Sequence, residues 1–152
     1  MTLAAIIEQI VVIERSVRIT SPIAFSACKA YTISPNSNQD LTDRVSFLNW
    51  PDAAVEMRMG DSREDNVTVQ IDCYVKDNRF DAGASIALAI FDATWAAFDA
   101  ERPAGRRLGN TVDMINLRSE RPLLETLEWN GKGYPGFHIF LDLVYFTEVV
   151  PL

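Results

Sequence analysis

A reaction in this chain would have to be built around one histidine, His138, and two cysteines, Cys28 and Cys73. His138 falls in the alternating stretch Phe137–Thr147. Asp142 lies four residues further on, so an acid–base pair made from the two would share a strand face at about 13–14 Å, too far apart to act on one substrate atom. A lone histidine does not make a metal cluster, and the partners of a catalytic triad are missing from its surroundings. The expected role of His138 is therefore a neutral, hydrogen-bonded ring on a sheet face. The cysteines have neither the short spacing nor the histidine company of a zinc site, and Cys73 reads as a small core residue. Gly131-Lys132-Gly133 lacks the upstream glycine and the following Ser or Thr of a phosphate loop. The carboxylates Asp61, Glu64, Asp65, Asp77 and Asp81 do not follow the alternate-position oxygens of a calcium loop. These residues predict no catalytic centre, no cofactor and no metal.

Residue types suited to contacts are more plentiful. Arg102, Arg106 and Arg107 form the one dense basic cluster, in the loop Arg102–Asn110. Their charge suits the C-terminal dipole of the helix before them, or an acidic partner or DNA phosphates. Arg118, Glu120, Arg121 and Glu128 read as a mixed-charge rim around Trp129 and Tyr134, the pattern of aromatic anchors in a protein interface. The polar connection Gly60–Asn66, with Asp61, Arg63 and Glu64, is a second candidate contact segment.

The elements that must position these residues follow from periodicity. Leu3, Ile6, Ile7, Ile10 and Val11 recur at helical spacing and predict an amphipathic helix of about three turns capped by Thr2. Candidate strands lie near Ala27–Ile33 and Val45–Leu48. Between them, Ser34-Pro35-Asn36-Ser37-Asn38-Gln39-Asp40 has the composition of an exposed loop. Val55, Met57 and Met59, and then Val67 through Val75, alternate as two half-buried strands of an antiparallel hairpin joined by Gly60–Asn66. A second helix is predicted over Asp81–Ala100, capped by Asp81 and stopped by Pro103. It has two apolar sides. Ala82, Ile86, Ile90, Ala93 and Ala97 form one, and Leu88, Phe91, Trp95 and Phe98 form the other, to be covered by the first helix or by a neighbouring chain. Strands at Val112–Arg118 and Phe137–Thr147 close the sequence. The fold class expected is α+β, a mostly antiparallel sheet of four to six strands with two helices packed on one face. The order is helix, strands, hairpin, helix, two strands, in a single domain over 1–152.

Composition agrees with an ordered chain: 152 residues, 48% hydrophobic and 23% charged, with a formal net charge of −7. That charge repels phosphates and disfavours specific nucleic-acid binding. Met1 to Glu8 lacks the basic region of a secretory signal, and no apolar run reaches bilayer length. The expectation is a soluble protein of a reducing cytoplasm.

The opening helix, Val45-Ser46-Phe47-Leu48, the strand Asn66–Val75, the helix Asp81–Ala100 and the strand Gly136–Phe146 together resemble the tail terminator (tail completion) proteins of long-tailed phages of the lambda type. The resemblance spans most of the chain and is one of pattern. It implies a virion structural protein of the tail–neck junction, assembled in the host bacterial cytoplasm. Such a protein forms a homo-oligomeric ring, a hexamer, that caps the tail tube, stops its polymerisation and meets the head connector while DNA passes through. In that setting the expected contact residues are Asp61, Arg63, Glu64, Trp95, Phe98, Arg102, Arg106, Arg107 and Trp129. Alternatives are a head-completion or neck adaptor of the same virion, or a small α+β enzyme with an apolar pocket that uses His138.

Overall fold

The computed structural model describes residues 2–36, 38–59, 62–119 and 123–148. Helix α1 (Leu3–Ser16) begins where expected, with the Thr2 side chain accepting from the Ala5 amide. It continues for more than a turn past Val11, because Glu14 extends the stripe of Ile7, Ile10 and Val11. After the short strand β1 (Lys29–Tyr31) come β2 (Val45–Met59), β3 (Ser62–Val75), helix α2 (Phe80–Asp99), β4 (Met114–Ser119), β5 (Glu125–Trp129) and β6 (Lys132–Glu148). The class is α+β. The six strands run β1-β2-β3-β6-β4 with β5 also on β6, and every pair except the parallel β1·β2 is antiparallel.

Two expectations about β2 and β3 change. The candidate strands on either side of Pro51 are one strand, since Trp50, Pro51 and Asp52 stay paired with Gln70, Val69 and Thr68. Proline is tolerated there because the other side of β2 has no partner beyond Leu48 among the described residues. The expected polar connection is also mostly strand: Ser62–Asn66 pairs with β6, which leaves residues 60–61 between the two strands. Helix α2 starts one residue before the predicted span. Arg79 is its N-cap, and Asp81 lies in its first turn, where the Arg79 guanidinium and the Ala82 amide hold its carboxyl below the usual range.

Strand alternation divides the residues between two cores. On one face, Phe47, Val69, Ile71, Cys73, Ile139, Leu141 and Leu143 pack against Ile6, Ile10, Ile86, Ile90 and Phe98, so both helices cover that face. On the other face, Leu41, Leu48, Tyr74, Leu127, Trp129 and Tyr134 form a smaller cluster. The Pro/Ser/Asn segment is an exposed loop, as expected, with Asn36, Asn38, Gln39 and Asp40 on the surface, and it is tied to the rim of this second cluster. Gln39 O accepts from Trp129 Nε1 at 2.8 Å, and the Asp40 carboxylate takes Asn130 Nδ2 and Lys132 Nζ, each at 2.7 Å. Strands β3 and β6 approach closely at Gly136, where an added Cβ would stand 2.1 Å from the Cys73 carbonyl oxygen.

Candidate functional site

The contact residues expected from sequence do not converge on one place. Arg63 pairs in the ladder with Thr147, near the end of β6, whereas Trp129 pairs with Lys132 at its start. A strand of that length puts the two ends roughly 50 Å apart. Arg63 donates to the buried Asp65 carboxylate at 3.1 Å, and Glu64 beside it is half-buried. Asp61 lies outside the described residues.

Two of the expected anchors are used inside the chain. Phe98 is fully buried in the main core, and Trp129 is 7% exposed, sealed into the second cluster edge-on to Tyr74. Neither offers surface to a partner. The mixed-charge rim thus has no exposed aromatic centre at Trp129 or Tyr134. The anchor reading failed at Trp129 because a type I′ turn folds β5 onto β6 and buries the ring. Asn130 (φ 52°) and Gly131 (φ 74°) make that turn, and Asn-Gly is its strongest sequence signal, although β5 was not expected.

The arginine cluster does lie just past α2. Arg106 donates to the Ala100 carbonyl, Arg102 pairs with Asp99 at 3.3 Å, and Arg107 donates to Arg102 O. These bonds close the C-terminal end of α2, as the dipole argument requires. A left-handed turn, Arg107–Asn110, follows and inserts Leu108 into the core.

The second apolar side of α2 is split. Phe91 and Phe98 turn inward, while Leu88 is 46% exposed and Trp95 is half-buried, stacked on Phe91 at 5.9 Å. Phe91, Asp92, Trp95, Ala96, Ser119 and Leu123 line a half-open, largely apolar groove of about 310 Å³ between α2 and the end of β4. Leu123, at 42% exposure, forms its far wall. Helix α1 does not fill this groove.

The helix-free face of the sheet carries the polar groups. His138 and Asp142 share that face, as alternation predicts, but each has its own partners. Asp142 holds Arg118 and Thr68, and the Arg118 guanidinium keeps its carboxyl below the usual range. His138 stands between two carboxylates, with Nδ1 at 2.5 Å from Asp72 Oδ1 and Nε2 at 3.4 Å from Glu125 Oε2. Asp72 also accepts from Trp50 Nε1 at 2.7 Å and Gln70 Nε2 at 2.9 Å. Burial, and then the Asp72 charge, pushes the Tyr74 phenol up to about 12. With both ring nitrogens engaged by carboxylates, His138 acts as a cross-strand tie. Asp72 and His138 are direct ladder partners, a register that neither strand reveals alone.

Sequence reasoning also passed over Glu14. It is fully buried beneath α1, where Asn49 Nδ2 donates to Oε1 at 2.7 Å. Burial pushes its carboxyl from 4.5 up to about 8. Glu14 Oε2 and Asn49 Oδ1 are buried without a partner among the described residues, and a protonated acid supplies the donor that a carboxylate lacks.

Among the described residues no three His, Cys, Asp or Glu side chains are grouped to hold a metal, and no helix is long and apolar enough to cross a membrane. No protein-family model matches this chain, and no curated protein does so either.

Proposed function

We propose that this chain is a ring-forming structural subunit of a long-tailed phage, a tail terminator that works through surfaces and carries out no reaction. In this reading six copies, assembled in the host bacterial cytoplasm, sit at the tail–neck junction of the virion. One face of the ring caps the tube and stops its growth, and the other meets the head connector. DNA passes through the hole without specific binding. The family pattern in the sequence motivates the proposal.

The observation that supports it best is the apolar groove beside α2, lined by the half-buried Trp95 and the exposed Leu123, with Leu88 exposed further along the same helix. Apolar surface left beyond a subunit's own cores is what a heterologous ring interface requires. The net charge of −7 suits a channel that must release phosphates. Negative-stain electron microscopy of the purified full chain tests the reading. Six-fold rings with a stain-filled centre are expected, and fields of single compact subunits at every concentration would overturn it.

A further inference from the structure

The turn between β5 and β6 is made by Asn130 and Gly131, and Asn130 is the one asparagine in the chain that glycine follows. Asn130 is exposed at φ 52°, and an added Cβ at Gly131 would meet nothing within 4 Å. An Asn-Gly step reacts with itself. The Gly131 main-chain nitrogen attacks Asn130 Cγ, and glycine, with no Cβ, leaves that approach open. The new N–Cγ bond closes a cyclic imide, the Cγ–Nδ2 bond breaks, and Nδ2 leaves as ammonia with the proton given up by the Gly131 nitrogen. Water then opens the imide at either carbonyl and leaves aspartate or isoaspartate at residue 130.

In this fold the reacting side chain is held. Asn130 Nδ2 donates to Asp40 Oδ1 at 2.7 Å, and Lys132 Nζ donates to Asp40 Oδ2 at the same distance. These bonds, that of Lys132 first, keep the Asp40 carboxyl below the usual range, so the acceptor is charged. The flanking backbone is fixed as well, because Trp129 and Lys132 pair across the turn and the Trp129 indole donates to Gln39 O at 2.8 Å. The leaving nitrogen is therefore the atom that the loop grips. A charge-assisted bond to it opposes both the rotation that brings Cγ over the Gly131 nitrogen and the departure of Nδ2.

We propose that Asn130-Gly131 is a site of spontaneous deamidation that Asp40 keeps closed, and that the modification, once made, releases the loop that guards it. The proposal does not depend on the ring reading. Deamidation replaces the donor facing Asp40 with a carboxylate. An acceptor then faces an acceptor, two negative charges share Lys132, and the tie becomes repulsive. Isoaspartate goes further, since it adds a main-chain atom to a turn of two residues and the Trp129–Lys132 pair no longer closes over it. Gln39 and Asp40 then lose their hold on the rim of the second cluster, where Leu41 and Trp129 are buried. The change runs one way, because the ammonia is lost to solvent.

The test follows residue 130 in the full chain by peptide mapping and mass spectrometry during storage in mildly alkaline buffer. Asp40→Ala removes the grip, and Asp40→Asn keeps the shape and an acceptor without the charge. Asp40 is exposed, so both variants are expected to keep the wild-type circular dichroism spectrum. Conversion of Asn130 is expected to be roughly ten-fold faster in Asp40→Ala than in the wild type, the rate equivalent of releasing one charge-assisted hydrogen bond, with Asp40→Asn between the two. Equal rates in the wild type and Asp40→Ala would overturn the proposal, and so would faster conversion at Asn36 or Asn38 than at Asn130 in that variant. Asn130→Asp presents the charge of the product directly and reads the second half. Hydrogen exchange is expected to quicken over Gln39–Leu41 and to stay unchanged in α2. Protection of Gln39–Leu41 equal to that of the wild type would contradict release of the loop.

Discussion

Glu14 is the residue whose chemistry most directly affects stability. Its carboxyl is raised from 4.5 to about 8 by burial, so the unfolded chain ionises at a pH where the folded chain still holds the proton. Its favourable contribution is complete below about pH 4.5 and is lost as pH climbs through 8, by up to about 5 kcal/mol at 1.36 kcal/mol per unit. Glu14→Gln keeps the shape, accepts from Asn49 Nδ2 and offers a donor to Asn49 Oδ1, with no proton to lose. Thermal melts from pH 5 to 9 are expected to show the variant gaining on the wild type from pH 5 to about 8 and levelling off above it. A constant difference between the two curves would contradict a buried neutral acid. Periodicity makes Glu14 legible in retrospect, because it extends the apolar stripe of α1. A carboxylate on such a stripe reads as the helix end, which is why the helix was expected to stop near Val11.

At the scale of elements, the hairpin of β5 and β6 depends on a turn that only certain residues adopt. Gly131 sits at φ 74° with open space around its Cα, so Gly131→Ala meets no clash and isolates the backbone term. The cost expected from chemical denaturation is about 1–2 kcal/mol, and no measurable change would contradict the turn. Arg106→Glu replaces a donor to the Ala100 carbonyl with a negative charge at the C-terminal end of α2. A loss of about 0.5–1 kcal/mol is expected in thermal melts at low salt, shrinking as salt is added. Much at this scale was legible. Thr2 as the cap of α1, the alternation of β3, the extent of α2 within a residue at each end, and the core side of Cys73 all follow from local periodicity. What stayed hidden depends on long-range pairing. Pro51 reads as a break unless the strand is known to be an edge, and the exposed Pro/Ser/Asn loop gives no sign of the bonds it makes to Trp129 and Lys132, 90 residues or more away. Phe98 shows the same blindness on α2: helical spacing places it with Leu88 and Trp95, but the position of the sheet decides which of them is covered.

For the whole molecule, the α2 groove leaves apolar surface outside a subunit whose two cores are complete. The groove suits contact between protein surfaces, and Leu88→Glu tests the exposed flank of α2 that precedes it along the helix. Because Leu88 is 46% exposed, the variant is expected to keep its melting temperature within a few degrees. Its association at equal concentration is expected to be at least ten-fold weaker, and unchanged association would remove that flank of α2 from the interface. The central claim is that this chain acts as one subunit of a closed assembly. Multi-angle light scattering of the purified full chain over a wide concentration range measures that most directly. The account predicts a discrete species of about 100 kDa, six times the 17.0 kDa chain, with no open-ended growth. A mass that stays at 17.0 kDa at every concentration would contradict it.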